Sequence, residues 1–526
     1  MRQASAAPAE DLDRIEADIT HGVSLPLLSQ PPAINFPNTP AVTLEAELVR
    51  ARLLDYVSLG AVEPLPPDSV PPHGVQPLHV VIKEGKKPRL VIDLSRNLNQ
   101  FLKYQYFSYS NVDNAVAISS QGCWYGKLDL SNCFLSFFLH PDAIRFFYFR
   151  FDGQLCRFTR MPFGLGTAPL VCTLLLSVPA WEMERRGCRF IRYLDDFLFV
   201  ASSAETLSYM LTTAQEVFAS FGLLVNPEKT EGPVQRISFL GIQIDSVEQS
   251  TSCTPERVHE LLQLLASLSS KSLVRRKDLE SLVGKLSFAA QVLPGARPFM
   301  RHMLDAVHSC SKRSTPIRIE KCFREDISFW SRNINNWNGR QRWRAAQAAP
   351  IVLATDASLK GFGFHIMEVP FHIDATRWPK QLQPGSGFFG SYHPDHAHLH
   401  ASHRQIAWCE LLAVIAATQT YGSLLEGNCV LFRVDNNTDV NIVNRQATRS
   451  PLLSGLLRSL YTLALEFNFN IRATHIRGID NSLADFLSRP ELHRNDPLTS
   501  VRTVPSLCER LNVCSAVCSS TFLPNH

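Results

Sequence analysis

Two apolar runs, Phe190-Ile191-Arg192-Tyr193 and Phe197-Leu198-Phe199-Val200, meet at Leu194-Asp195-Asp196. Short apolar runs around so brief a junction read as a β-hairpin. Such a turn usually carries Asn-Gly or Asp-Gly. Adjacent aspartates break that local rule, and broken rules tend to mark function. Like charges at the tip of buried strands raise each other's pKa, and divalent cations remove the repulsion. Asp129, at the end of the strand-like segment Tyr125 to Leu130, is a third acid of the same kind. Three such carboxylates suit two magnesium or manganese ions and phosphoryl transfer. Taken alone, Asp195-Asp196 reads equally well as a solvated turn.

A chain of 526 residues is too long for one hydrophobic core. Hydrophobic residues make up 45% and charged residues 19%, the balance of a globular protein. The formal net charge of +4 permits a nucleic-acid partner without requiring one. Basic clusters at Arg185-Arg186, at Arg275-Arg276-Lys277 and at Arg340, Arg342 and Arg344 are either contact surfaces or solvated faces. The 13 cysteines form no CxxC pair, which fits free thiols in a reducing compartment. Cys508, Cys514 and Cys518 lack a matching histidine spacing for zinc. No signal peptide and no span-length apolar run is seen. The expectation is a soluble intracellular protein, cytoplasmic or nuclear or both, without a membrane partner.

Residues 1–42, rich in Ala and Pro, read as a disordered or loose segment. Strand patterns begin near Pro77: Leu78 to Ile82 and Arg89 to Ile92 form a hairpin with a basic tip, and Asp152-Gly153 marks another. Ala168 to Arg185 and Glu205 to Phe221 read as helices, and Ile237 to Ile244 as one strand. A helical region covers 251–346. An α/β pattern occupies 347–490, and a polar tail follows over 491–526.

Tyr193-Leu194-Asp195-Asp196 resembles the YxDD box of reverse transcriptases. Around it lie further motifs in the family's order. Arg89 to Leu94, followed by Arg96 and Leu98-Asn99, resembles the fingers motif, with one residue more between Asp93 and Arg96. Leu128 to Phe134 resembles the first metal-binding motif, and Met161 to Pro169 the template and nucleotide loop. Asn226 to Thr230 resembles the motif whose lysine serves the leaving group, and Phe239-Leu240-Gly241 the start of the primer grip. The resemblance implies fingers and palm over 43–250. Asp129, Asp195 and Asp196 would hold the metals. Lys83 and Arg89 would contact the triphosphate, with Phe163, Gly164 and Tyr193 lining the nucleotide site. Lys229 would protonate pyrophosphate, and Phe134 would exclude a ribose 2′-hydroxyl. Phe163 stands where retroviral enzymes carry glutamine, and Ser131-Asn132-Cys133 is an unusual set. These departures bear on processivity and fidelity.

A second acidic series lies at the edges of apolar segments, where burial alone disfavours it: Asp356, Glu410, Asp435 and Asp485. Singly, each is as readily a cap or a surface group. With His475, their order resembles a ribonuclease H domain, which implies two-metal hydrolysis of the RNA strand of a hybrid. The stretch from Asp356 to Glu410 is longer than usual. The excess, about 379–403, carries His393, His396, His398, His400 and His403, a surface insertion or a zinc site.

Ile476-Arg477-Gly478, Ala484-Asp485 and Leu487-Ser488-Arg489, with Lys285 to Ala289 and Pro294 to Arg297, resemble retrotransposon enzymes, most of all the DIRS (tyrosine-recombinase) type. The implied fold is an α+β right-hand polymerase of fingers, palm and thumb, followed by an α/β ribonuclease H-like domain. The implied partners are RNA template, DNA primer, RNA–DNA hybrid and dNTPs; oligomeric state is not written in these motifs. The rival reading is a domesticated or inactive copy that only binds nucleic acid.

Overall fold

Phe197, Leu198, Phe199 and Val200 are all buried, so the strand Asp196–Ala201 runs through a sheet interior. The computed structural model describes residues 9–83, 86–293, 295–309, 316–339, 343, 349–384, 386–392, 405–493 and 502–503. They form two compact units, Met1–Leu240 and Gly241–His526.

In the first unit four antiparallel strands lie in the order Glu231–Val234, Trp124–Asp129, Asp196–Ala201 and Phe190–Tyr193. The helix Ala204–Ser220 packs on the two central strands. It buries Leu207, Met210, Leu211, Ala214, Val217 and Phe218, the spacing of one helix face. The Ser203 hydroxyl caps its start, accepting the Thr206 N–H at 3.1 Å. Gly126 allows the close approach: a Cβ there would lie 2.9 Å from Leu211 Cδ1. The same unit contains the hairpin Leu78–Lys83 and Lys86–Ile92 and a three-stranded sheet of Val62–Pro64, Gln154–Phe158 and Tyr148–Phe151. Asp152 and Gly153 both have positive φ, 48° and 76°, the conformation that the Asp-Gly signal predicts.

Three expectations change here. Residues 9–42 are not loose, although 1–8 lie outside the described residues. Ala9–His21 is a helix with Ile15 buried, and Val23 pairs with Leu139 and Leu27 with Leu102. Backbone hydrogen bonds anchor this segment, including Val23 N–H to Phe138 O at 2.8 Å, and composition is blind to them. The single helix expected over 168–185 is two, Ala168–Leu175 and Ser177–Arg185. Pro179 has no N–H for the Leu175 carbonyl. The strand expected over 237–244 is also two, Arg236–Phe239 and Ile242–Asp245, because Leu240 and Gly241 both take positive φ.

The second unit opens with the antiparallel strands Ile242–Asp245 and Ser250–Cys253, followed by the helices Pro255–Ser269, Arg276–Ala289, Arg301–Ser309 and Lys321–Trp337. A six-stranded sheet follows, in the order Asn470–His475, Cys429–Val434, Ile351–Ala357, Gly361–Glu368, Gly387–Ser391 and Arg502–Thr503. Ile351–Ala357 pairs parallel with Cys429–Val434 and antiparallel with Gly361–Glu368. The helix Ile406–Leu425 is buried on nearly every side, which its almost unbroken apolar sequence requires. The first unit is mixed α and β, and the second combines helices with an α/β sheet, the element content that the expected fold class calls for.

The helical region and the α/β domain share polar contacts. Asp326, fully buried on Lys321–Trp337, accepts from Arg458 Nη1 on Pro451–Glu466 and from the His302 N–H at 3.2 Å. The Arg458 guanidinium also lies 4.8 Å from the Phe299 ring centroid. Gly295 N–H donates to Gln446 Oε1 at 3.0 Å, and its Cα faces Tyr461 so closely that a Cβ would clash. Removing one partner of a buried pair strands the other charge. Arg458→Ala is expected to cost about 3–5 kcal/mol, read as a lower urea midpoint of the full chain. Asp326→Leu with Arg458→Met should cost less than Arg458→Ala alone.

Candidate active sites

The hairpin joins Phe190–Tyr193 to Asp196–Ala201 through Leu194 and Asp195, with Tyr193 paired to Asp196. Leu194 has φ 53°, a strained conformation for a residue with a side chain. Asp196 stands opposite Asp129 across the ladder, and Asp195 O accepts the Leu130 N–H at 3.2 Å. The three acids therefore share one end of the sheet. Burial pushes the Asp195 carboxyl above its usual range, and the charge of Asp129 adds to this. Burial, then Asp195 and Asp129, push Asp196 up to about 7. Lys229 Nζ donates to both oxygens of Asp129, at 2.7 and 2.9 Å. The lysine expected at the leaving group thus holds a candidate metal ligand. Its own turn is held there by the Asn226 N–H, which donates to Asp129 O at 2.8 Å.

The expected nucleotide contacts divide. Phe134 and Phe163 pack with ring centroids 5.4 Å apart, and the Arg89 guanidinium lies 5.5 Å from the Phe163 ring. The Arg89 charge reaches Asp195. Gly164 has φ 113°, and a Cβ there would meet Ile92 O at 1.9 Å. The fingers strand and this loop are also joined by the Ile92 N–H, which donates to Phe163 O at 3.0 Å. Tyr193 packs on Tyr109 at 4.7 Å instead of joining this group. The Lys83 side chain lies outside the described residues. Asn99 was quoted only as part of a motif, yet it clamps the loop. Its Nδ2 donates to Gly164 O and its Oδ1 accepts the Gly166 N–H, both at 2.9 Å.

In the second unit, Asp356 lies on a strand, Glu410 on the buried helix and Asp435 just past Cys429–Val434. One carboxylate oxygen from each lies within 4.8 Å of the others. Glu410 Oε1 accepts the Ala357 N–H at 3.1 Å, while its buried Oε2 has no hydrogen-bond partner among the described residues. Burial pushes Asp356 up to about 7, with Asp435 and Asp485 adding to it and Ser488 opposing. Burial and then Asp356 and Asp435 push Glu410 well above its usual range. An orphaned buried oxygen within three convergent acids fits a divalent cation.

The fourth expected acid, Asp485, is not among the three. Arg489, one helical turn on, donates to its Oδ1 at 2.5 Å, although its charge reaches Asp356. His475 ends its strand opposite Val434, beside Asp435. Asn481, given no role of its own in the sequence reading, fixes the helix Ser482–Leu487 by donating to Thr355 O at 3.0 Å. Its position between the expected His475 and Asp485 was the available signal. Asp439, also missed, is a further buried acid near Asp435. The histidines from His393 to His403, Cys508, Cys514, Cys518 and Arg340, Arg342 and Arg344 lie outside the described residues. Among the described residues the cysteines are free, and no helix is long and apolar enough to cross a membrane.

The fold is that of an α+β polymerase followed by a ribonuclease H-like α/β domain. Residues 81–244 match the family model described as reverse transcriptase (RNA-dependent DNA polymerase), so the chain carries a reverse transcriptase domain. It is 23% identical over 429 residues to an enzymatic polyprotein of Cassava vein mosaic virus, covering 78% of this chain and 59% of that one. It is 26% identical over 231 residues to protein P of Heron hepatitis B virus, covering 43% of this chain and 29% of that one. In fold it is similar to the foamy viral protease-reverse transcriptase dRH in complex with double-stranded DNA. That likeness has a TM-score of 0.54 at 14% identity, over 89% of this chain and 80% of that one. The chain spans 59% or less of the length of the two viral relatives.

A carboxyl with a raised pKa keeps its proton to higher pH in the folded chain. Asp196 and Asp356 titrate near 7 when folded, against 3.8 for the free group. Between those values the folded chain binds more protons, so its stability without metal falls as pH rises toward 7. Cations must displace the same protons. Mn²⁺ affinity of the full chain, measured calorimetrically, is therefore expected to rise from pH 6 to pH 8 with proton release. A flat profile would contradict the assigned ligands.

Proposed function

We propose that this chain is an RNA- and DNA-directed DNA polymerase with ribonuclease H activity, serving replication of a retrotransposon of the DIRS type. The observation that carries the reading is the meeting of Asp129, Asp195 and Asp196 at one sheet end, with Arg89 in electrostatic reach of Asp195. Phe163 and Phe134 pack beside Arg89. The DIRS assignment rests on the sequence motifs around Ile476 to Arg489.

Asp129, Asp195 and Asp196 would hold magnesium or manganese in the palm, and Asp356, Glu410 and Asp435, with Asp485 and His475 beside them, in the second centre. When bound, such ions neutralise developing charge and lower the pKa of the attacking hydroxyl or water. The chain's own residues do the rest. Arg89, with Lys83, orients the triphosphate by charge-assisted hydrogen bonds. Gly164 and Tyr193 border the nucleotide site. Phe134 sets the sugar preference by occupying the volume a 2′-hydroxyl needs. Lys229 keeps Asp129 in place and carries the proton for the leaving pyrophosphate. The ligands are RNA template, DNA primer, hybrid and dNTPs, handled inside the cell in cytoplasm or nucleus. A binding-only copy is the rival.

Purified protein with Mg²⁺, dNTPs and oligo(dT) on poly(rA) is expected to extend the primer; absence of extension favours the binding-only copy. Asp195→Asn should abolish extension and spare hybrid cleavage, and Asp435→Asn should do the reverse. Loss of both activities in both folded variants would refute the division into two centres. Phe134→Val should reduce discrimination against rNTPs by about 10–200-fold, the range one steric contact in a pocket commands, measured as the ratio of kcat/KM values.

A further inference from the structure

Asp439 lies in the first turn of the helix Asn437–Arg445. Its side chain is completely buried, and among the described residues neither Oδ1 nor Oδ2 has a hydrogen-bond partner. A bare carboxylate is among the costliest groups to bury. Position in a first helical turn gives some relief through the backbone amides. That relief is set against acidic neighbours: Asp435 acts on Asp439, and Asp439 in turn acts on Glu410. Glu410 repeats the pattern, 1% exposed with Oε2 unpartnered. Three buried carboxylate oxygens without donors thus belong to one acidic neighbourhood. Nothing in the helix alone requires this, since Asn436 already caps it by accepting the Thr438 N–H at 2.9 Å.

We propose that Asp439 is a positioning residue of the divalent-cation site formed by Asp356, Glu410 and Asp435, holding the hydrated side of the ion. It is not a direct ligand, because its oxygens fall outside the set lying within 4.8 Å of one another. It acts through water bound to the ion, and through the orientation of Asp435, four residues earlier and just ahead of the helix. This residue is distinct from Asp485, whose Oδ1 is engaged by Arg489. The proposal rests on the reading of the second centre as a cation site.

The test uses the full chain carrying Asp195→Asn and Asp196→Asn, which silences the palm acids, with Mn²⁺ as probe. Binding is followed by calorimetry and by the manganese paramagnetic resonance signal. Adding Asp439→Asn keeps side-chain size and removes the charge. It is expected to weaken Mn²⁺ binding by about 10–100-fold, the range for outer-shell partners of a metal. The melting midpoint in chelator should hold or rise, since an unpartnered charge has gone. Unchanged Mn²⁺ affinity in Asp439→Asn, alongside loss of binding in Asp435→Asn, would overturn the proposal. If Asp435→Asn itself leaves binding intact, the cation site fails and the proposal with it. A midpoint in chelator that drops for both Asp439→Asn and Asp439→Ala would overturn it as well, assigning the residue to the helix.

Discussion

Repulsion between buried carboxylates is the constraint on which both centres turn. Asp196 faces Asp129 across a ladder, and Asp356 faces Glu410 and Asp435 across a strand and a helix. Neither arrangement is a low-energy solution for the chain alone. In the palm the repulsion is partly relieved by Lys229, which binds both oxygens of Asp129. In the second unit the only backbone relief for Glu410 in the structure described is one amide, at Ala357. The surrounding scaffold is closely packed. Buried aromatic strands, the Gly126 approach and the full burial of Ile406–Leu425 hold the acids against their own charge.

Much of this was legible because the acids interrupt apolar patterns. Asp129, Asp195, Asp356, Glu410 and Asp435 each stand at the edge of a buried run, and the structure gathers them as two groups. Glu410 is the clearest instance, a lone acid on an otherwise apolar helix. What sequence reasoning missed follows from interactions that leave no periodic trace. Asp439 reads as an ordinary acid of a first helical turn, and only burial reveals it. Asp485, expected among the metal ligands, is bonded by Arg489 just past the end of its helix, a contact that the spacing of the acids does not announce. Residues 9–42 looked loose because backbone pairing at Val23 and Leu27 is independent of side-chain composition. Leu240, a residue that rarely takes positive φ, concealed the break between two strands.

The fingers and the nucleotide loop show a different kind of legibility. Phe163 and Gly164 were read in one motif and Asn99 in another. Their contacts make them one device: the glycine admits the Ile92 carbonyl and the asparagine ties both sides of the loop. A substitution at any of the three disturbs the other two, so their effects should not be additive. Tyr193 lies outside this device and belongs with Tyr109.

The contacts between Arg458 and Asp326, Gln446 and Gly295, and Tyr461 and Gly295 bear on how this protein can be taken apart. A sequence boundary near residue 347 suggests a ribonuclease H-like cassette that could be lifted out or exchanged. The cut would leave a guanidinium, an amide and a tyrosine ring, all shaped for the preceding helices, without their counterparts. The portable unit is therefore the domain together with its linker.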